Sequence, residues 1–221
     1  MKFKFLKVAL TSLILCANGF ANAGLIQVGT LPSYAGDCTI NCTPLLQQVY
    51  GSSNFTVGDS TITSISFFAG AGNWSAGNNY EIWLSEFAPG VGNLTNSWSS
   101  NLGASAVLFD TIQIGNTTNG QAVTWSGNFS YNLSAGDLLV SVRNTGAAGG
   151  AAMYASSDGT KQRAYSFSSN TAQSMNVNRG NYGLVTRFTT SASTDVPEPS
   201  TLAIFALGLM GLASRRFKKQ S

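Results

Sequence analysis

Short apolar runs alternate with turn signals along most of the chain, and their period is two. In VTWSGNFSYNL, Val123, Trp125, Phe129, Tyr131 and Leu133 fall on one face, while Thr124, Ser126, Asn128, Ser130 and Asn132 fall on the other. The pattern predicts a half-buried strand, or two strands broken at Gly127. Ala135-Gly136-Asp137 then makes a turn, and LLVSVR follows with Leu138, Val140 and Val142 on one face. Further strands are expected in TITSISFF, NYEIWLS, AVLFDTIQI, AAMYAS, RAYSFS and YGLVTRFTT, separated by glycine-rich joints such as AGAGN, NTGAAGG and SSDGT. Between Gly24 and Val196 only PLLQQVYGSS competes as a helix, of a single turn or two. About eight strands at this spacing predict an all-β fold, an antiparallel β-sandwich that is jelly-roll-like in the broad sense.

Both ends break this pattern. Lys2, Lys4 and Lys7 precede an apolar stretch from Val8 to Cys16, and Ala21-Asn22-Ala23 supplies the small-x-small pattern of a signal peptidase site. Residues 1–23 therefore read as a signal peptide for the Sec export machinery, with cleavage between Ala23 and Gly24. The run is short for a bilayer span, and Leu15 before Cys16 argues against lipidation. At the other end, Pro197-Glu198-Pro199 leads into an apolar run from Leu202 to Ala213 and a basic close of Arg215, Arg216, Lys218 and Lys219. About 12 apolar residues cover roughly 18 Å as a helix, marginal against a hydrocarbon core of about 30 Å. The basic cluster would stay cytoplasmic, the orientation that export of the preceding residues also requires.

These residues resemble the PEP-CTERM family, in which a Pro-Glu-Pro triplet, a short hydrophobic helix and an arginine-rich end form a tail read by an exosortase, a membrane-embedded transpeptidase-like enzyme. The resemblance implies that Pro197, Glu198 and Pro199, with Arg215 and Arg216, are the sorting signal. It also implies an inner-membrane tether before processing, then the cell surface or extracellular matrix of a Gram-negative bacterium. Two prolines around one residue forbid helix and present an extended segment suited to an enzyme cleft. The expected organisation is a signal peptide (1–23), an extracellular β-sandwich (24–190), a linker (191–196) and a tail (197–221) with its helix at 201–214. Across residues 45 to 190 the order LLQQVYGSSNF, ITSISFF, NYEIWLS, GDLLVSVRN and LVTRFTT also looks like a β-sandwich module of secreted bacterial surface proteins. That likeness bears on fold alone.

The formal charge of +3 over the whole chain hides the sign of the middle. Seven of the 12 basic residues sit in the two end segments, and between Gly24 and Val196 five basic residues face eight acidic ones, a net charge near −3. No basic stripe remains for nucleic acid. Cys38 and Cys42 are the cysteines left after signal removal, and in an oxidising compartment they are expected to close a small disulfide loop, worth roughly 2 kcal/mol. The sequence has no histidine, which removes Ser-His-Asp and Cys-His catalysis and the usual zinc sites. No metal and no cofactor is expected.

Carboxylate-pair chemistry needs two acids flanking one bond. Glu81 and Glu86 are the glutamates before the tail, and five positions apart on a strand they point to opposite faces. The domain therefore reads as non-catalytic. In NYEIWLS, Tyr80, Ile82 and Leu84 form the core face and leave Trp83 beside Glu81 and Ser85. A tryptophan on a polar face can stack on a sugar ring while neighbours bind its hydroxyls. Trp74 and Trp98, in Gly/Asn/Ser-rich stretches, are candidates to join it, whereas Trp125 reads as core. The leading expectation is an exported surface or matrix protein associated with exopolysaccharide in a biofilm. The alternative is a lectin-like or glycan-active protein using Trp83, Glu81, Trp74 and Trp98.

Overall fold

The alternation read from sequence folds as strands wherever one face is apolar and the other polar. In the computed structural model, residues 23–31, 36–37, 39–56, 61–74, 78–87, 93–146, 149–158, 160–167, 175–178 and 180–191 are described. Among them the strands are β1 (Ala23–Val28), β2 (Leu45–Tyr50), β3 (Thr61–Ala69), β4 (Tyr80–Phe87), β5 (Val107–Ile112), β6 (Gln121–Ser130), β7 (Asp137–Asn144), β8 (Ala155–Ser156), β9 (Thr160–Ser166), β10 (Asn176–Asn178), β11 (Gly183–Leu184) and β12 (Thr186–Ser191). They form a four-stranded sheet ordered β1-β12-β3-β6, a six-stranded sheet ordered β10-β9-β2-β7-β4-β5 and a two-stranded ribbon of β11 and β8. Every pairing is antiparallel. These strands lie in one compact unit, Ala23–Ala192; residues 1–22 and 193–221 lie outside the described residues.

Both large sheets send side chains into one apolar cluster. From the four-stranded sheet come Ile65, Phe67, Trp125 and Phe188; from the six-stranded sheet come Leu46, Tyr50, Ile82 and Val140. Tyr50 meets Phe188 edge-on with ring centroids 5.0 Å apart, and Trp125 Nε1 donates across the layers to the Tyr80 carbonyl at 2.8 Å. A second cluster, including Leu45, Val49, Phe87, Leu94 and Leu139, covers part of the other face of the six-stranded sheet. Ile26, Phe188, Ile65 and Trp125 lie in one register row across the four-stranded sheet and point inward. The row beside it points the opposite way, and it is polar: Ser66 stands between Arg187 and Thr124.

Several expectations change in detail. PLLQQVYGSS is a strand, β2, followed by a 3₁₀ turn at Ser52–Asn54. It lies between β9 and β7, and all six of its residues are buried. With both faces covered there is no alternation to read. AAMYAS contributes only the two residues of β8, and YGLVTRFTT divides into β11 and β12. Val185 is the break, where its N–H goes to the Tyr154 carbonyl as the chain passes from ribbon to sheet. The expected membrane helix at 201–214 lies outside the described residues; among those described, no helix is long and apolar enough to cross a membrane.

The segment around Gly127 is one continuous strand, β6, with a register shift against β3. Gly127 is needed because β5 presses on it: a Cβ there would meet the Phe109 carbonyl oxygen at 2.5 Å and the Phe109 ring at 3.0 Å. Gly127→Val should therefore cost about 1–3 kcal/mol, seen as a lower urea midpoint at unchanged slope. A change below about 0.5 kcal/mol would show that β5 can withdraw without cost.

Candidate functional site

Strand β4 places the first candidate residues. Tyr80, Ile82 and Leu84 are fully buried toward the shared core, so Glu81 and Trp83 emerge on the opposite face, both half-buried. Across the ladder Glu81 stands beside Arg143, and Trp83 beside Ser141, which itself pairs with Gln47. Glu81 Oε2 accepts the indole N–H of Trp83 at 3.1 Å and lies 3.8 Å from the Arg143 guanidinium. The carboxylate is thus committed to two neighbours on its own face.

A loop folds down over this face and brings Trp98 with it. Asn101 Nδ2 donates to Gln47 Oε1 at 2.7 Å, while Gln47 Nε2 donates to the Trp98 carbonyl and to Ser141 Oγ, each at 3.1 Å. These bonds satisfy a glutamine and an asparagine that are otherwise buried. Trp98 opens a one-turn helix, Trp98–Asn101, and meets Trp83 edge-on at 6.4 Å and 86°. The pair forms a half-buried aromatic ridge, with exposed Leu108 in register beside Trp83 on the edge strand β5.

Trp74 does not join this ridge. It is 6 % exposed, belongs to the shared core, donates to Thr117 Oγ1 at 3.1 Å and packs edge-on against Tyr80 at 5.4 Å. Gly150, at φ +153°, lies so close that a Cβ would meet the Trp74 ring at 2.5 Å. The backbone of a distant glycine-rich stretch thus presses on the indole, and the ring is covered despite its glycine-rich surroundings in sequence. Trp125 is fully buried, as its strand period predicts.

Glu86 lies at the other end of β4 and accepts the Asn132 backbone N–H at 3.2 Å. It does not share a cleft with Glu81. Among the described residues no group of three or more His, Cys, Asp or Glu is placed to hold a metal ion. Cys42 is disulfide-bonded, and its expected partner Cys38 lies outside the described residues. The sorting residues Pro197, Glu198, Pro199, Arg215 and Arg216 also lie outside them.

The expected signal cleavage site falls at the domain edge. Ala23 and Gly24 open β1, and Ala23 pairs with Ser191, the last residue of β12. Pro197 follows Ser191 by six positions, so the chain enters and leaves the β-domain at adjacent points. Sequence reasoning did not find Arg143, Gln47, Ser141 or Asn101 as members of this surface. The outward period of SVR in β7 was the available sign for Ser141 and Arg143.

Fold and termini together define an all-β domain followed by a separate C-terminal signal. Residues 195–219 match the family described as the PEP-CTERM protein-sorting motif. The chain thus carries a PEP-CTERM sorting domain, and that motif points to exosortase-dependent sorting of an exported, membrane-anchored and then processed protein. No curated protein and no solved structure matches the chain.

Proposed function

We propose that this is a non-catalytic exported protein of the cell surface or extracellular matrix of a Gram-negative bacterium. Its β-sandwich, jelly-roll-like in the broad sense, is delivered by the Sec machinery and held at the inner membrane through residues 201–214. An exosortase then trims it near Pro197-Glu198-Pro199, after which it associates with exopolysaccharide in a biofilm. The observation that carries this reading is the sorting motif at 195–219, beginning just past the compact unit that ends at Ala192. The non-catalytic part is supported by the absence of histidine from the sequence and by the separation of Glu81 from Glu86 on β4.

Mass spectrometry of cell-surface material should find a species beginning at Gly24 and ending near the Pro-Glu-Pro triplet. Glu198→Ala should leave the tail attached. A surface protein still ending in RRFKKQS, or normal trimming of Glu198→Ala, would overturn the processing step.

A second reading rests on the ridge of Trp83 and Trp98 beside Glu81. A half-exposed indole next to a carboxylate suits one sugar ring, contributing on the order of 1 kcal/mol, or roughly a fivefold change in affinity on Trp83→Ala. Release of reducing sugar from polysaccharide by the purified protein would favour the glycan-active form of that reading.

A further inference from the structure

We propose that the disulfide at Cys42 is a redox latch on the segment that carries Asp37. Closed, it holds that segment over Met153 and Arg163; reduced, it lets the segment lift while the two sheets stay assembled. The use of the latch in timing rests on the exported reading, whereas the latch itself is a property of the β-domain.

The segment is held in three ways. Asp37 lies outside the named strands, in an isolated antiparallel bridge. There its N–H donates to the Met153 carbonyl at 3.0 Å, and its own carbonyl accepts the Met153 N–H at 2.6 Å. Its carboxylate lies 2.7 Å from Arg163 Nη1, the two side chains being 10 % and 12 % exposed. Third, Cys42 ends the one-turn helix Thr39–Cys42 and is disulfide-bonded, with Cys38, next to Asp37 in sequence, as its expected partner. Ile40 in that helix is buried in the shared core.

Of these fasteners the covalent one decides. A helix of four residues has little stability of its own. The bridge supplies two hydrogen bonds that water can replace. A buried ion pair is a weak clamp, because removing two charges from water offsets most of their attraction. The cross-link, in contrast, limits how far the freed segment can spread. Once it is cut, the Asp37 carboxylate gains water and the bridge to Met153 opens.

The opening is local because both groups beneath the segment have other anchors. The Arg163 guanidinium lies 4.4 Å from the Tyr182 ring centroid and 5.2 Å from that of Tyr165. Met153 bridges Ala69 at the end of β3. Its neighbours are tied there too: Tyr154 N–H donates to the Phe68 carbonyl at 2.8 Å, and Gly70 N–H to the Ala152 carbonyl at 2.7 Å. Met153 therefore stays on β3 and loses only its cover. In closing, two thiols of the chain give two protons and two electrons to an external disulfide, which becomes two thiols; dithiothreitol reverses the step and ends as a cyclic disulfide. The segment is thus open in a reducing compartment and closed in an oxidising one, so the domain is completed only after export.

Met153 reports the latch, since it is fully buried and a methionine oxidises to the sulfoxide when reagent reaches it. Met175, 5 % exposed in the second apolar cluster, is the internal control. The purified full chain, in mild detergent, is reduced with dithiothreitol, alkylated, cleared of reagents and treated with dilute hydrogen peroxide. Half-buried Cys42 is within reach of the reductant. By peptide mass, Met153 should oxidise about tenfold faster than in untreated protein, with Met175 and the circular dichroism spectrum unchanged. Cys42→Ser should give the same result without reductant. Asp37→Asn, which keeps the cross-link and removes the charge, should speed Met153 oxidation by no more than about threefold.

Unchanged protection of Met153 in the alkylated, folded protein overturns the proposal. So does an equal rise at Met175, which marks general unfolding, or an Asp37→Asn rate matching that of the reduced protein, which makes the ion pair the fastener. If Cys42→Ser does not fold, the reduced wild type still decides. Tail processing is read separately by intact mass, so failure of the latch leaves the sorting reading intact.

Discussion

Trp125→Ala should lower the stability of the β-domain by about 3–5 kcal/mol, the largest loss expected from any single truncation in it. The ring is fully buried, packs edge-on against Phe67 at 5.7 Å and donates its N–H to the Tyr80 carbonyl at 2.8 Å. It thus belongs to one sheet and hydrogen-bonds to the other. Alanine would leave a cavity between the layers and an acceptor without its donor, and the two costs add. Trp125→Phe separates them, because it keeps an aromatic ring but loses the N–H; about 1–2 kcal/mol should remain lost. Urea unfolding followed by circular dichroism measures both. Since domains of this size have only about 5–15 kcal/mol to lose, the alanine variant should be partly unfolded well below the wild-type midpoint. A loss under about 1 kcal/mol would mean that the layers are not joined through this ring.

The same residue shows what a sequence discloses. Trp125 was legible as core because β6 has one apolar and one polar face, and a period of two survives in the residue order. β4 and β7 were legible for the same reason. β2 was not: Leu45, Gln47 and Val49 are covered on the face opposite the shared core, so all six of its positions are buried and no period remains. Gln47 and Gln48 look like surface residues until their partners are known. Gln47 is satisfied by Ser141 and Asn101, and Gln48 by the Tyr50 hydroxyl and the Leu184 N–H. Apart from Tyr50, two positions along the same strand, those partners come from distant strands and loops, and no local rule predicts them.

Candidate sites divide along the same line. The sorting tail was legible because it is a linear signal: its composition and order are the property that is read, and residues 195–219 match the motif. The surface around Trp83 was half legible. Strand period put Glu81 and Trp83 together, but only the antiparallel register brings Arg143 beside Glu81. Trp74 was misread, since its exposure depends on the approach of Gly150 and on Thr117, both far along the chain.

Alkaline unfolding of the β-domain should be steep and should coincide with the ionisation of hidden tyrosines. Burial pushes the Tyr50 phenol well above its ordinary range, only partly offset by its bond to Thr186, and the residue is fully buried between Gln48 Nε2 and Thr186 Oγ1, each 2.6 Å away. Tyr131 is raised by burial, and then by the charges of Asp137 and Glu86; Tyr80 is raised by burial against an opposing bond from Asn78. For a group whose folded value is raised, the unfolded chain releases its proton first. The stabilisation is therefore complete below about pH 10, the unfolded value, and declines as the pH climbs toward the folded one. A phenol that stays protonated in the fold removes at most about 1.4 kcal/mol of stability per pH unit across that window. Absorbance at 295 nm should show only part of the 7 tyrosines ionising while the fold persists. The remainder should appear in one step with the loss of circular dichroism. Tyr50→Phe should be less stable at neutral pH by about 1–2 kcal/mol, because Gln48 and Thr186 lose their shared partner, yet its stability should fall less steeply above pH 10. A smooth titration of every tyrosine near pH 10, with the circular dichroism spectrum unchanged, would show that these phenols are in contact with solvent.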